Sequence, residues 1–129
     1  MTFPEISEKS ITVTLGAEGD LTIAPTYAHV TRGQVVSWQV QGDPSASILI
    51  VFDDPDGFGD LGEYTPKSTP AEKKQYLEKA AHRPAVEVRS RAGGAHALAL
   101  KAGIYHYRIA IHSGTTLSAD MYCPTVIVR

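Results

Sequence analysis

Lys101-Ala-Gly-Ile-Tyr-His-Tyr-Arg-Ile-Ala-Ile-His112, with the closing Met121-Tyr-Cys-Pro-Thr-Val-Ile-Val-Arg129, decides how this chain folds. Successive side chains of a strand point to opposite faces, so Tyr105, Tyr107, Ile109 and Ile111 share one side while His106, Arg108 and Ala110 share the other. The first side has the composition of a core face. Gly103 before the run and Ser113-Gly114 after it supply turn chemistry. The two segments together outline a core strand, a loop and a last strand.

Upstream, Ile11, Val13 and Leu15 alternate with Ser10, Thr12 and Thr14, the pattern of a half-buried strand that ends at Gly16-Ala-Glu-Gly-Asp20. Leu21-Thr-Ile23 is a short strand stopped by Pro25, and Thr26–Gly33 reads as a connection with some extended character. In Val35–Gln41, Val36, Trp38 and Val40 take one face and Ser37, Gln39 and Gln41 the other, which predicts a sheet covered on one side only, with Trp38 as a core anchor. Ile48-Leu-Ile-Val-Phe52 is a continuous apolar run of strand length and predicts a central strand buried on both faces. Val86 and Val88 mark another strand, and Ala95–Leu100 a further one with His96, Leu98 and Leu100 on one face.

Read together, Gln34-Val-Val-Ser-Trp-Gln-Val40 and the Gly103–His112 strand resemble the cupredoxin family, whose chains carry a G-x-x-V-x-W strand early and a G-x-Y-x-Y/F-x-C-x-x-H strand late. The resemblance spans most of the chain apart from an insertion at about residues 53–85. It implies an all-β, Greek-key β-sandwich, cupredoxin-like, of seven to eight strands with one short helix in the insertion, and a single domain over 1–129. Gly103, Tyr105, Tyr107 and His112 fall on the family pattern, but the position of the copper-binding cysteine holds Ile109. A blue-copper centre uses a thiolate, two imidazoles and usually a weak axial thioether. The stretch Ser45–Phe52, where the resemblance puts the other histidine ligand, contains none.

The insertion is itself legible. Asp53–Glu63 carries five carboxylates in eleven residues, with Gly and Pro preventing regular structure; its spacing does not match a helix-loop-helix calcium site, and the reading is a solvated acidic loop. Thr69 caps a helix, Pro70 suits its first position and Glu72 stands where a capping box puts an acid. The helix runs over 70–81 to Pro84 with a narrow apolar stripe of Tyr76, Leu77, Ala80 and Ala81, and is expected to lie across an open end or edge of the sheets. Its lysines oppose the acidic loop, a weak attraction between exposed charges.

Composition narrows the function. The chain has 129 residues and a formal net charge of −2, which argues against general affinity for nucleic acid or acidic membranes, and no apolar run approaches the roughly 20 residues of a membrane span. Its one cysteine, Cys123, excludes an internal disulfide. The start, Met-Thr-Phe-Pro-Glu-Ile-Ser-Glu, has neither the basic flank nor the apolar run of a secretory signal, so the expectation is a cytoplasmic protein, though a chain trimmed of its leader would read the same.

The five histidines, His29, His82, His96, His106 and His112, are scattered rather than set at ligand spacing. Only His112 also matches a family ligand position, and Met121 and Cys123 follow it on one shared face. Cys123 reads as a buried thiol of the closing strand rather than a nucleophile. No Ser-His-Asp order, phosphate-binding glycine loop or zincin motif occurs. The expectation is therefore a non-enzymatic, cupredoxin-like binding or assembly module without a blue-copper site and without assigned catalytic, cofactor or metal residues, recognising a protein partner or a second copy of itself. The alternative is a copper or other metal protein with a rearranged ligand set of His112, Met121 and Cys123.

Overall fold

The computed structural model describes residues 8–16, 19–62, 64–65, 67–90, 93–119 and 124–129. Among them the alternating segments become β1 (Glu8–Leu15), β2 (Leu21–Ala24), β3 (Tyr27–Val30), β4 (Val35–Gln41), β5 (Ser47–Phe52), β6 (Phe58–Asp60), β7 (Glu87–Ser90), β8 (Gly94–Ala99), β9 (Gly103–Ser113), β10 (Thr116–Ala119) and β11 (Thr125–Val128), with one helix, α1 (Pro70–Ala81). The first sheet runs β2-β1-β4-β8-β6, with β1 and β4 parallel. The second runs β3-β11-β9-β5-β7, and β10 pairs with the far end of β9. The fold is an all-β sandwich with one short helix.

The face shared by Tyr105, Tyr107, Ile109 and Ile111 is the core face, each of the four at most 3% exposed. It meets Val36, Trp38 and Val40 from the first sheet. Trp38 sits edge-on to Tyr107 at 5.5 Å between ring centroids, and Phe52 stacks on Phe58 at 4.3 Å. Such aromatic pairs add about 0.5–1.5 kcal/mol each beyond the area they bury. Tyr105 adds a fixed turn, its hydroxyl donating to the carbonyl of Lys101 at 2.7 Å.

Four expectations need correction. The segment Thr26–Gly33 contains a true strand, β3, paired in parallel with β11, and the described residues form eleven strands where seven to eight were predicted. The apolar run Ile48–Phe52 is an interior strand, but it alternates: Ile48, Ile50 and Phe52 are buried while Leu49 and Val51 are half-buried on an open outer face. The acidic loop is not without regular structure, because Phe58–Asp60 pairs with β8 as β6. Finally, the first half of β4 is covered on both sides, with Val35 and Ser37 fully buried on the face predicted to be wet, while Gln39 and Gln41 on that face are exposed as predicted.

The insertion explains that last difference. Thr69 caps α1 as the sequence predicts: its hydroxyl oxygen accepts the Glu72 N–H at 3.2 Å, and its proton goes to the Glu72 carboxylate at 2.9 Å. The helix lies toward the β6 edge of the first sheet, against β6 and its neighbour β8. Its Tyr76, Leu77 and Ala80 close a second apolar cluster with Leu61, Tyr64, Val35, Leu98 and Leu100 on the outer face of the first sheet. The sequence pattern of β4 shows a polar face because Ser37 and Gln39 are polar, and the cover comes from a segment well downstream in the chain. Among the described residues no ion pair joins the acidic loop to the lysines of the helix; the pair observed is Arg89 with Glu87, both exposed.

The helix seat depends on a missing side chain. A Cβ at Gly59 would land on the carbonyl oxygen of Ala80, so β6 and α1 approach closely only because position 59 is glycine. Trp38→Ala should lower stability by about 3–5 kcal/mol in urea unfolding, by the large-to-small rule for a buried aromatic; an unmoved midpoint would place Trp38 outside the core. Gly59→Ala should cost about 1–3 kcal/mol by overpacking and shift the NMR signals of Tyr76, Leu77 and Ala80, leaving the Tyr107 neighbourhood in place. Perturbation of Tyr107 as well would mean that the two clusters are one cooperative core.

Candidate functional site

The end of the sandwich where the family resemblance expects copper is built by the β4–β5 turn and the outer end of β9. The ladder with β5 holds β9 extended through His112, and β10 continues the pairing to Ser113. Strand alternation then sends Ile109 inward, 2% exposed beside Ile50, and His112 outward into solvent beside Ser47 and Leu117. The two positions that match the family's cysteine and histidine face opposite sides of one sheet. Ala46, in the stretch expected to carry the other histidine, is buried at 1% exposure.

Hydrogen bonds join the two segments at this end. Asp43 accepts the Ser45 N–H at 3.0 Å and the Ser45 hydroxyl at 2.8 Å on one oxygen, and the Ser113 hydroxyl on the other. These donors, Ser113 foremost, hold the Asp43 carboxyl below the usual carboxylate range.

Of the other histidines, His29 is exposed on β3 and His82 is the C-cap residue of α1. His106 lies outward on β9 with its Nδ1 3.0 Å from the Thr125 hydroxyl. No three His, Cys, Asp or Glu side chains among the described residues converge as a metal site would require. Met121 and Cys123, the other two members of the alternative ligand set, lie outside the described residues; their proposed partner His112 is on the outer face. In the acidic loop, Asp54 and Asp60 each turn back to accept a backbone N–H two residues on, from Asp56 and Gly62.

The solved structures similar to this chain are cupredoxins. A point mutant of amicyanin in its reduced Cu(I) form aligns at 16% identity and a TM-score of 0.40, over 97% of this chain and 87% of that one. Native pseudoazurin from Hyphomicrobium denitrificans aligns at 15% and 0.42 over 95% and 75%. Auracyanin A, a "blue" copper protein from Chloroflexus aurantiacus, aligns at 16% and 0.39 over 95% and 100%. No family model and no curated protein matches the sequence. The two motif strands, β4 and β9, stand in opposite sheets with Trp38 against Tyr107, as the resemblance requires. This all-β sandwich is the fold that the resemblance implies. Within it, the described residues do not assemble the family's copper ligands, since Ile109 offers a hydrocarbon and His112 points away from it.

Polar chemistry gathers instead beneath the insertion of this sandwich. Ser37 on β4 and His96 on β8 are cross-strand partners on the covered face, 0% and 9% exposed. The Tyr64 ring meets the His96 ring at 5.3 Å, and the Tyr64 hydroxyl donates to Glu8 of β1 at 2.6 Å. Burial and that bond push the Tyr64 phenol well above its ordinary range. Burial holds the His96 imidazole below its ordinary value, with the charge of Glu8 pulling the other way. The Ser37 hydroxyl and His96 Nε2 are buried without hydrogen-bond partners, an uncommon state for polar groups. Sequence reasoning placed His96, Leu98 and Leu100 on one face correctly. It missed that Tyr64, in a loop with no periodicity, would cover that face and complete the cluster.

The sign of the resulting pH dependence follows from the lowered His96 pKa. The unfolded chain takes up the proton first, at about pH 6.5. The stability from neutral, buried His96 is therefore fully present above that pH and is lost as pH falls toward the folded value. Urea midpoints should fall between pH 7.5 and 5, by at most about 1.4 kcal/mol per pH unit for this one proton, and His96→Leu should flatten the slope. An unchanged slope in that variant would assign the titration to the exposed histidines.

Proposed function

We propose that this chain is a single-domain, non-enzymatic binding module of cupredoxin-like fold that works without copper, its functional surface moved from the copper end to the face built by the insertion. One observation carries the reading: Ile109 is buried in the core while His112 projects from the opposite side of the same regular strand. A thiolate at position 109 and an imidazole at 112 would have to share a metal, and soft sulfur together with nitrogen donors is what selects copper. The closure of this end by Asp43, Ser45 and Ser113 supports the same conclusion, because a ligand loop must keep room for the ion. The insertion supports the second half of the reading. It adds a buried polar cluster that the sandwich itself does not need, and long insertions on rigid scaffolds commonly carry binding function.

Titration with Cu(II), and with Cu(I) under reductant, should give only weak binding at exposed imidazoles such as His106 and His112, with no intense thiolate-to-copper absorption. A tight one-to-one complex abolished by His112→Ala would overturn the reading in favour of the His112, Met121 and Cys123 set, and Cys123→Ser would then show whether the thiol is a ligand.

A further inference from the structure

Large apolar side chains left in water gather on the outer face of the second sheet. Tyr27 on β3, Ile104 on β9 and Leu117 on β10 are 65%, 66% and 71% exposed, three of the four exposed large hydrophobic residues among those described. The ladders put all three on one side: Ile104 opposes Ile127 of β11, Tyr27 opposes Thr125, and Leu117 opposes the outward His112. Leu49 and Val51 of β5, both half-buried, continue the same face. A sheet face that meets only water carries polar residues, and a contiguous apolar patch marks a surface that another molecule covers. On the first sheet the insertion covers part of the corresponding face; Tyr27 and Ile104 are left open.

Charge says what covers them. In the order β3-β11-β9-β5, bases lie on one flank of the β11–β9 ladder and acids on the other. On the β3 flank His29 shares the row of Ile127 and Ile104, and the exposed Arg32 and Arg129 are neighbours, the Arg32 N–H donating to the Arg129 carbonyl at 3.1 Å. On the β5 flank the Asp53 N–H donates to the His106 carbonyl at 3.0 Å, and the loop that follows carries Asp54 and Asp56 to the Gly103 end of β9, where Gly57 abuts the Tyr105 ring. Both sets of charges are thus at the same end of the sheet, on opposite sides of the Ile127–Ile104 pair. The other charges of this face, Arg108 and the Arg89–Glu87 pair, lie farther toward the His112 end, and Lys101 belongs to the turn leading in from the first sheet.

We infer that the outer face of the second sheet binds a second copy of this chain through a two-fold contact centred on Ile104 and Ile127, with Arg32 and Arg129 of each copy against Asp53 and Asp56 of the other. A two-fold axis parallel to the strands and between β9 and β11 exchanges the flanks: β9 then faces β11 of the second copy, and β5 faces β3. Ile104 meets Ile127 of the other copy, and each acidic flank meets a basic one. A partner of a single charge sign would match one flank and be repelled by the other. Self-association satisfies both with one surface.

The inference goes beyond the module reading, since the apolar centre of this surface lies outside the insertion. Sedimentation velocity of the full chain from micromolar to near-millimolar concentration should show a monomer–dimer equilibrium that weakens with added salt, which screens the flanking charges. Ile104→Asp should raise the dissociation constant about tenfold or more, as loss of a central apolar anchor does. Its side chain is exposed in the single chain, so the fold should persist. The decisive pair is Arg32→Glu with Arg129→Glu, and Asp53→Lys with Asp56→Lys. Each double variant should be monomeric alone, because like charges then meet across the axis, and the two should form a one-to-one heterodimer when mixed, because the exchanged signs match again. If Ile104→Asp fails to fold, these exposed-charge variants carry the test. A wild-type chain that stays monomeric over the whole range would overturn the inference. So would a dimer indifferent to Ile104→Asp, or charge variants that dissociate but do not reassemble on mixing. A monomer would leave the copper titration untouched, and a tight copper complex would sink the copper-free reading without altering the sedimentation result.

Discussion

The two-residue repeat of β9 is the constraint on which the rest of the molecule depends. β5 pairs with it from Tyr107 to His112, β11 from Gly103 to His106 and β10 from Ala110 to Ser113. With ladders along its whole length the strand has no freedom to slip, and a slip of one residue would exchange every inward side chain for an outward one. Tyr105, Tyr107, Ile109 and Ile111 are thus committed to the core, and His106, Arg108 and His112 to the opposite side. In the cupredoxin pattern the ligand positions three residues apart serve one ion, which needs the strand to break between them. Here hairpin pairing carries the strand past that point, so the register that builds the core also separates positions 109 and 112.

The same logic, applied to the first sheet, explains the insertion's structural role. A sheet in a sandwich has one buried face, and β4 and β8 present Val35, Ser37, His96 and Leu98 on the other. Left in water, Val35 and Leu98 would be exposed apolar surface; under Leu61, Tyr64 and α1 they become a second small core. Burying each such side chain is worth roughly 1.5–3 kcal/mol, enough to hold a 12-residue helix whose cap contributes only about 1 kcal/mol. The helix needs that seat, since isolated helices of this length are marginal in water. The Tyr64–Glu8 hydrogen bond fastens the loop to β1. His96 and Ser37 are enclosed as a consequence.

What could be read from the sequence was whatever is local or strictly periodic. The β9 alternation, the Trp38 anchor and the bounds of α1 all come from neighbours within a few residues, and each matches the structure. The misreadings share one origin: they concern which second surface covers an element. Nothing in Val35–Gln41 records that Tyr64 and Leu61 will pack on Ser37's side, and nothing in Ile48–Phe52 distinguishes a strand buried on both faces from one whose Leu49 and Val51 stay half open. β6 was hidden because three residues between glycines carry no period, and it exists only through its partner β8. The candidate site was legible by halves. That the family's cysteine position holds the hydrocarbon of Ile109 is plain from sequence alone, whereas the cluster of Glu8, Ser37, Tyr64 and His96 joins four segments that lie far apart in the chain.

A hydrogen bond joins the two segments from which the resemblance would draw a metal crosslink. In a blue-copper protein the ion draws ligands from the turn after the tryptophan strand and from the end of the tyrosine strand, tying the two sheets' loops together. Asp43 occupies the first of these segments and Ser113 the second, 70 residues apart, and their hydrogen bond spans the same gap. A charged acceptor makes such a bond stronger than a neutral pair would, and its depressed pKa means the tie persists in its ionised form across the neutral range. A carboxylate and a hydroxyl are small, and they let Ala46 and Ile109 pack to near-complete burial behind them.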